Sequence, residues 1–427
     1  MEGIKKTEAF LRKHKMDPQV LDLERESGAF LRQLEAGVRG EVSSLKMIPS
    51  YIDPFDSDSI KDRTGKVVAV DAGGTNLRTA IFSMKNKRLT VVRQERGKMP
   101  GTEEPISKSL FFEKMVEKMN GFLEESDDVG FCFSYPVEIQ PDREGVILSL
   151  TKELQVQGIE GTKLAQTLNK VFEEHGKKKK RITVLNDTVA TLLSAFADEG
   201  SEQEPFDSYV GMIVGTGQNT CYREKGLKGI VNVESGGYSG FTRGDIDRSF
   251  AQKTKDPNGQ IFEKAISGAY LGGLTYELLL AAERESLFSI TGKAGIEALQ
   301  GLTAKEVVDF YQHGEKGADR LADFCRKEDI VRQAAPLVEA LIHRSVKLLW
   351  INLYAILKRL SLPKGASLAL PVEGSLFYAS EKYLEIFDEY QRDIEGRTGV
   401  KVQRMKIEQA SLKGSAVAAF LYQKKEG

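Results

Sequence analysis

The feature that most constrains the fold is a device that occurs twice: a β-branched run, a glycine turn and a second apolar run. The first copy is VVAVDAGGTNLRTAIF, in which Val67, Val68, Ala69 and Val70 lead into DAGGTN, and LRTAIFSM and LTVVRQE supply two more strands. The second is YVGMIVGTGQNTCYRE, in which Tyr209 to Val214 leads into Gly215, Thr216 and Gly217 and then a short strand near Cys221. Each copy predicts strand, turn, strand, unlike the strand-to-helix turn of a P-loop. Two distant copies imply an internal duplication in which each half offers a glycine turn to a shared cleft.

The rest of the chain fits that frame. At 427 residues it is long for one core and predicts two or three domains. Residues 1 to about 62 place Phe30, Leu31, Leu34 and Val38 at helical spacing and end at the breakers Pro49 and Pro54, so a helical arm leads into a turn. Strands are predicted at Val129–Ser134, Ile182–Leu185, Leu368–Val372 and Val402–Ile407, with a helix at Lys163–His175. From Ile261 to about Arg359 the pattern is mostly helical, and Pro363 and Gly365 close the last long helix. Strands interleaved with helices give an α/β fold.

Composition excludes several classes of function. Lys and Arg (61) balance Asp and Glu (62) to a net charge of -1, so no global field favours nucleic acid or an anionic membrane. The run Lys177–Lys180 with Arg181 reads as a solvated turn between helix and strand rather than a nucleic-acid patch. Cys132, Cys221 and Cys325 suit reduced thiols in a cytoplasmic protein, and neither export nor membrane spanning is supported. His14, His175, His313 and His343 are too scattered for a zinc site or a histidine-based triad, which leaves a carboxylate as the expected base.

Phosphoryl transfer needs backbone donors around phosphates, Mg²⁺ and a base that orients the attacking hydroxyl. Gly73, Gly74, Thr75 and Asn76 form a turn whose main-chain N–H groups can approach anionic oxygens, and Asp71 at the strand end can hold water on Mg²⁺. One such turn is equally an ordinary hairpin, whereas two facing turns favour phosphate. Asn186 and Asp187 end a strand, where ligand contacts are common, yet Asp187 before Thr188 and VATLL is also a helix-capping signature. Glu234, before Ser235, Gly236 and Gly237, and Glu263, at the start of a helix carrying Phe262, Ile266 and Tyr270 as its buried stripe, are either polyol acceptors or solvated surface glutamates.

The order of motifs resembles the hexokinase family of eukaryotic type: SSLKMIPSY, VDAGGTNLRTAIF, GFCFSYPVE, LTKEL, LNDTVATLL, VGTGQNTCY, VNVESGGY and FEKAISGAYLGG follow one another from about residue 20 onward. The resemblance implies two actin-like, ribonuclease H-like lobes around a central cleft. These are a small lobe at 63–188 completed by a C-terminal helix at 414–427, a large lobe at 189–413, and an arm at 1–62 packed on the large lobe. It implies transfer of the γ-phosphoryl group of MgATP to the 6-hydroxyl of a hexose, with glucose preferred, and no obligate protein partner. Alternatives are a silent hexose sensor, or a kinase for mannose, fructose or an amino sugar.

Residue by residue, the resemblance makes Asp187 the base with Lys152 as the nearby cation. It assigns Ser134, Thr151, Lys152, Asn186, Asp187, Asn219, Glu234 and Glu263 to the hexose. Asp71, Gly73, Gly74, Thr75, Asn76, Arg78, Gly215, Thr216, Gly217, Gly374, Ser375, Ser411 and Gly414 go to ATP, with Asp71 reaching Mg²⁺ through water. Three departures stand out. Ser235 replaces the usual aromatic after the sugar glutamate, Glu373 replaces an aspartate, and QASLKGSA lacks an Asp-Gly pair.

Overall fold

The apolar runs flanking the two glycine turns become the centres of two separate sheets. A computed structural model of the chain describes residues 2–55, 62–85, 88–150, 154–198, 206–288, 290 and 295–423. The arm comprises α1 (Glu2–Lys13) and α2 (Leu23–Val38); the side chain of Asp22 accepts from Arg25 N and starts α2. Phe10, Leu11, Phe30 and Leu34 of the arm are buried in the same apolar cluster as the large lobe, so the arm packs there.

The small-lobe sheet contains β1 (Gly65–Gly73), β2 (Asn76–Lys85), β3 (Arg88–Lys98), then, after α3 (Lys108–Met119), β4 (Asp128–Phe133) and, after α4 (Leu164–Glu174), β5 (Arg181–Leu185). Its spatial order is β5-β4-β1-β2-β3: the first three strands pair antiparallel, while β4 and β5 join parallel to β1. Helix α5 (Asp187–Asp198) follows β5. Lys177–Lys180 form the expected turn between α4 and β5, with Lys177, Lys179 and Lys180 paired to Glu124, Glu173 and Asp127.

The large lobe repeats the plan. Strands β6 (Ser208–Val214), β7 (Gln218–Arg223) and β8 (Ile230–Asn232) pair antiparallel. A helical block follows: α6 (Asp245–Gln252), α7 (Ile261–Lys264), α8 (Gly268–Arg284), α9 (Ala304–His313), α10 (Arg320–Lys327) and α11 (Val331–Leu360). Then β9 (Ser367–Glu373), α12 (Glu381–Thr398) and β10 (Lys401–Met405) lead to α13 (Ala410–Leu421). Here β9 joins β6 in parallel and β10 joins β9, giving β8-β7-β6-β9-β10, with Ile48–Pro49 added at the β8 edge. Both sheets thus carry three antiparallel strands and two parallel ones in one order, which is the topological trace of the expected duplication.

Helices α5 and α13 are the equivalent last helices of the two halves, and they cross between the sheets. Gly414 of α13 makes the crossing close, since a Cβ there would stand 1.8 Å from Ala190 O of α5. Leu192, Leu193, Leu412, Ala416 and Phe420 are buried in the cluster that joins the lobes. Of the described helices only α11 is long and apolar enough to cross a membrane, and it is the central helix of the large-lobe core, with Trp350 wholly buried.

Candidate active site

Parallel pairing sets the site. In register, Asp71 lies opposite Cys132, and Cys132 opposite Leu185, so the ends of β1, β4 and β5 bring Asp71, Ser134 and Asn186–Asp187 to one edge of the small-lobe sheet. Ser134 N donates to Ala72 O at 3.0 Å, and Ser134 Oγ occupies the space that a side chain at Gly73 would need. In the large lobe, Ile213 pairs with Glu373, which puts the second glycine turn beside the end of β9.

The first turn is a two-residue hairpin loop, Gly74–Thr75, closed by the Gly73–Asn76 pair, with Gly74 at φ 56°. Met99 N donates to Thr75 O at 2.9 Å, and Tyr135 OH donates to Gly74 O. Asp71 is 3% exposed and is paired with Arg78, Nη2 to Oδ2 2.6 Å. Burial raises its carboxyl, Arg78 opposes that, and the charge of Glu373 adds to it. A further cation comes from the next strand: Arg96 lies across from Arg78 and donates from Nε and Nη2 to Asn76 Oδ1 at 3.1 and 3.0 Å. Sequence reasoning passed over Arg96 because its proximity depends on the β2–β3 register.

The second turn, Gly215–Gly217, is closed by Gly215 N to Gly217 O at 2.9 Å. Helix α8 docks onto it, with Gly268 N donating to Gly215 O at 2.8 Å and Ala269 N to Thr216 O at 3.0 Å. This docking corrects one expectation: Glu263, Ile266 and Tyr270 do not share a helix, because α7 ends at Lys264 and α8 starts afresh at Gly268. Gly374, at φ 125°, abuts the same turn, where a Cβ would stand 2.2 Å from Val214 O. A cavity of about 380 Å³ opens here, with Thr216, Ala269, Ala304, Val308, Ser375 and Leu376 in its walls, an apolar slot of a size to take a planar base.

Ser411 and Gly414, expected at the nucleotide, are both buried. Ser411 Oγ donates to Glu373 Oε2 at 2.7 Å, and Gly414 serves the crossing of α13 on α5. Glu373, marked in the sequence only as a departure, is thereby a junction, since Thr191 Oγ1 of α5 also donates to its Oε2 at 3.1 Å.

Three carboxylates share a pattern. Helix α5 begins at Asp187, and the capping bond expected of that residue is made by Asn186, whose Oδ1 accepts from Thr188 N at 2.9 Å; Asp187 Oδ1 accepts from the same N–H at 2.8 Å. Glu234, at φ 55°, accepts on Oε1 from Asn219 Nδ2 (3.1 Å) and Asn232 Nδ2 (2.8 Å). Glu263 Oε2 accepts from Gln218 N at 3.0 Å. Among the described residues, the second oxygen of each takes no hydrogen bond, and all three residues are half-buried rather than solvated. Burial, with the charges of Glu373, Glu234 and Asp71, pushes the Asp187 carboxyl up to about 7 against the pull of the Thr188 N–H. Glu263 is raised by burial and by Glu234. Ser235, expected to shape a wall, is wholly buried, its Oγ donating to Gln218 Oε1 at 3.2 Å. Thr151 and Lys152 lie outside the described residues.

For Mg²⁺, the fit is that of an ion carried in on phosphates. Asp71 beside the first turn is the carboxylate that can reach it through water, and among the described residues no cluster of three or more His, Cys, Asp or Glu forms a cage.

Duplicated sheets, a glycine turn in each and carboxylates at their strand ends define a two-lobed α/β protein of the hexokinase fold. The solved structure of a Schistosoma mansoni hexokinase complexed with glucose superposes with a TM-score of 0.73 at 23% identity, covering 98% of this chain and 99% of that one. Another hexokinase crystal structure gives 0.74 at 24% identity, over 98% and 100% of the two chains. Two family models, both described as hexokinase, match residues 6–196 and 209–421. The chain belongs to the hexokinase family. Mouse hexokinase-1 is 28% identical over 440 residues, covering 92% of this chain but 43% of that protein. The Arabidopsis thaliana hexokinase-like 1 protein is 28% identical over 390 residues, 82% of this chain and 76% of that one. The chain therefore spans under half the length of the mammalian hexokinase-1 proteins it matches.

Proposed function

We propose that the protein transfers the γ-phosphoryl group of ATP to the 6-hydroxyl of a hexose, with glucose the preferred acceptor. The observation that carries this reading is the trio of half-tied carboxylates. Asp187, Glu234 and Glu263 each have one oxygen fixed by a protein donor and one left for a ligand. A polyol presents several hydroxyl donors at once, and such a set recognises it by direction as well as charge. Asn186 and Asn219 add amide groups at the same place, and Ser134, Thr151 and Lys152 belong to the hexose contacts by family resemblance. The glucose held by the Schistosoma hexokinase supports the preference for that sugar.

The free oxygen of Asp187 accepts the proton of the 6-hydroxyl as the bond from O6 to the γ-phosphorus forms and the bond from that phosphorus to the β–γ bridging oxygen breaks, releasing ADP. The two glycine turns bind the triphosphate through backbone N–H groups, while Arg78 and Arg96 lie next to the first. Asp71 would hold Mg²⁺ through water, and that ion supplies charge neutralisation on the phosphates when bound. The slot beside Ser375 takes the base.

Comparing kcat/KM for glucose, mannose, fructose and glucosamine with MgATP tests the proposal. Glucose is expected to give the highest value. A chain that binds these sugars without releasing ADP from any would be a sensor, and the kinase reading would fall.

A further inference from the structure

Resting on that reading, we propose that Gln218 is the positioning residue that couples the two hexose-facing glutamates to each other and to the second phosphate turn. Gln218 is the first residue after that turn and the neighbour of Asn219, and it is 3% exposed. Its main-chain N–H donates to Glu263 Oε2 at 3.0 Å. Its side-chain Oε1 accepts from the hydroxyl of Ser235 at 3.2 Å, and Ser235 directly follows Glu234. One residue therefore touches Glu263 through its backbone and the Glu234 segment through its side chain.

The second link matters because Glu234 sits in the left-handed region at φ 55°, a conformation that a glutamate keeps only when its neighbours hold it. The carboxylate is held by Asn219 Nδ2 and Asn232 Nδ2, and the backbone by two bonds from main-chain N–H groups: Ser235 N donates to Asn219 Oδ1 at a long 3.3 Å, and Gly237 N donates to Glu234 O at 3.1 Å. The Ser235–Gln218 bond is the side-chain tie from the residue after Glu234, and it is wholly shielded from water, where a hydrogen bond is strongest. Gln218 is also held there at a cost, since its Nε2 is buried with no partner. Ser235, which stands in place of the usual aromatic, meets the glutamine through its hydroxyl, so the two residues form one unit.

The test is a double-mutant cycle on the full chain with Gln218→Met, which keeps length and removes both polar atoms, and Ser235→Ala, which deletes one hydroxyl. Glucose affinity is read by calorimetry, and KM and kcat with MgATP are measured beside it. Each single variant is expected to weaken glucose binding and raise its KM by about three- to tenfold, the range of one buried hydrogen bond. Turnover at saturating glucose is expected to stay within about twofold, and the double variant to match the weaker single one. Unchanged glucose affinity in either folded variant, or effects that multiply in the double variant, would overturn the proposal. Should Gln218→Met fail to fold, Ser235→Ala alone decides through the same split between KM and kcat. If the unmodified chain binds glucose without turnover, the calorimetric arm still tests Gln218 while the kinase reading fails separately.

Discussion

Asp187 has two tasks that its two oxygens divide. Oδ1 accepts from Thr188 N at the start of α5, which fixes the carboxylate's direction, and in the proposed reaction the other oxygen meets the hydroxyl. Removing the base with Asp187→Ala is expected to lower kcat by about 100-fold or more, and turnover near that of the unmodified chain would remove Asp187 from the role. A base works only when deprotonated. With its carboxyl at about 7, kcat/KM should be full above that pH and fall as pH drops through it. Glu373 is the largest charge raising that value. In Glu373→Gln the acid limb of the profile should therefore move to lower pH, and a limb that stays in place would show that Glu373 does not act on Asp187. The sequence marks Asp187 and the glycine turns because their signals are local. Arg96 is not marked and Glu373 is marked only as a departure, because each reaches the site through a partner far along the chain: Ser411 and Thr191 for Glu373, Asn76 for Arg96.

Among elements, strand ends and the glycine turns were legible because β-branched runs bounded by glycine leave little choice of period. The observed strands at Ser367–Glu373 and Lys401–Met405 match the expected runs to within two residues. The helix at Glu263 was not legible as two pieces. The apolar spacing of Phe262, Ile266 and Tyr270 continues through the break, and what ends α7 is the docking of Gly268 and Ala269 N–H groups on the glycine turn. Gly414 shows the same gap between motif and role: its signal reads as a small-residue turn, while its work is the contact of α13 with α5. Gly414→Ala would drive a methyl group onto the Ala190 carbonyl and should destabilise the protein by about 1–3 kcal/mol, seen as a lower urea midpoint. An unchanged midpoint would mean that the helices part without cost.

The whole molecule is one topology used twice, with a glycine turn in each copy and the last helix of each copy crossing between the sheets. The proposed hexose contacts come from both halves: Ser134, Asn186 and Asp187 from the end of the small-lobe sheet, Asn219, Glu234 and Glu263 from the large lobe. A ligand held by both favours the closed arrangement, which excludes water that would compete for the phosphoryl group. Glucose alone should therefore reduce the radius of gyration in solution scattering, and an unchanged radius at saturating glucose would rule closure out. The central claim is phosphoryl transfer to the 6-hydroxyl, and its most direct measurement is phosphorus NMR of the chain mixed with MgATP and glucose, with 6-deoxyglucose as the control. Equal amounts of ADP and glucose 6-phosphate are expected from glucose, and no sugar phosphate from the control. Absence of glucose 6-phosphate, or a phosphorylated 6-deoxyglucose, would contradict the claim.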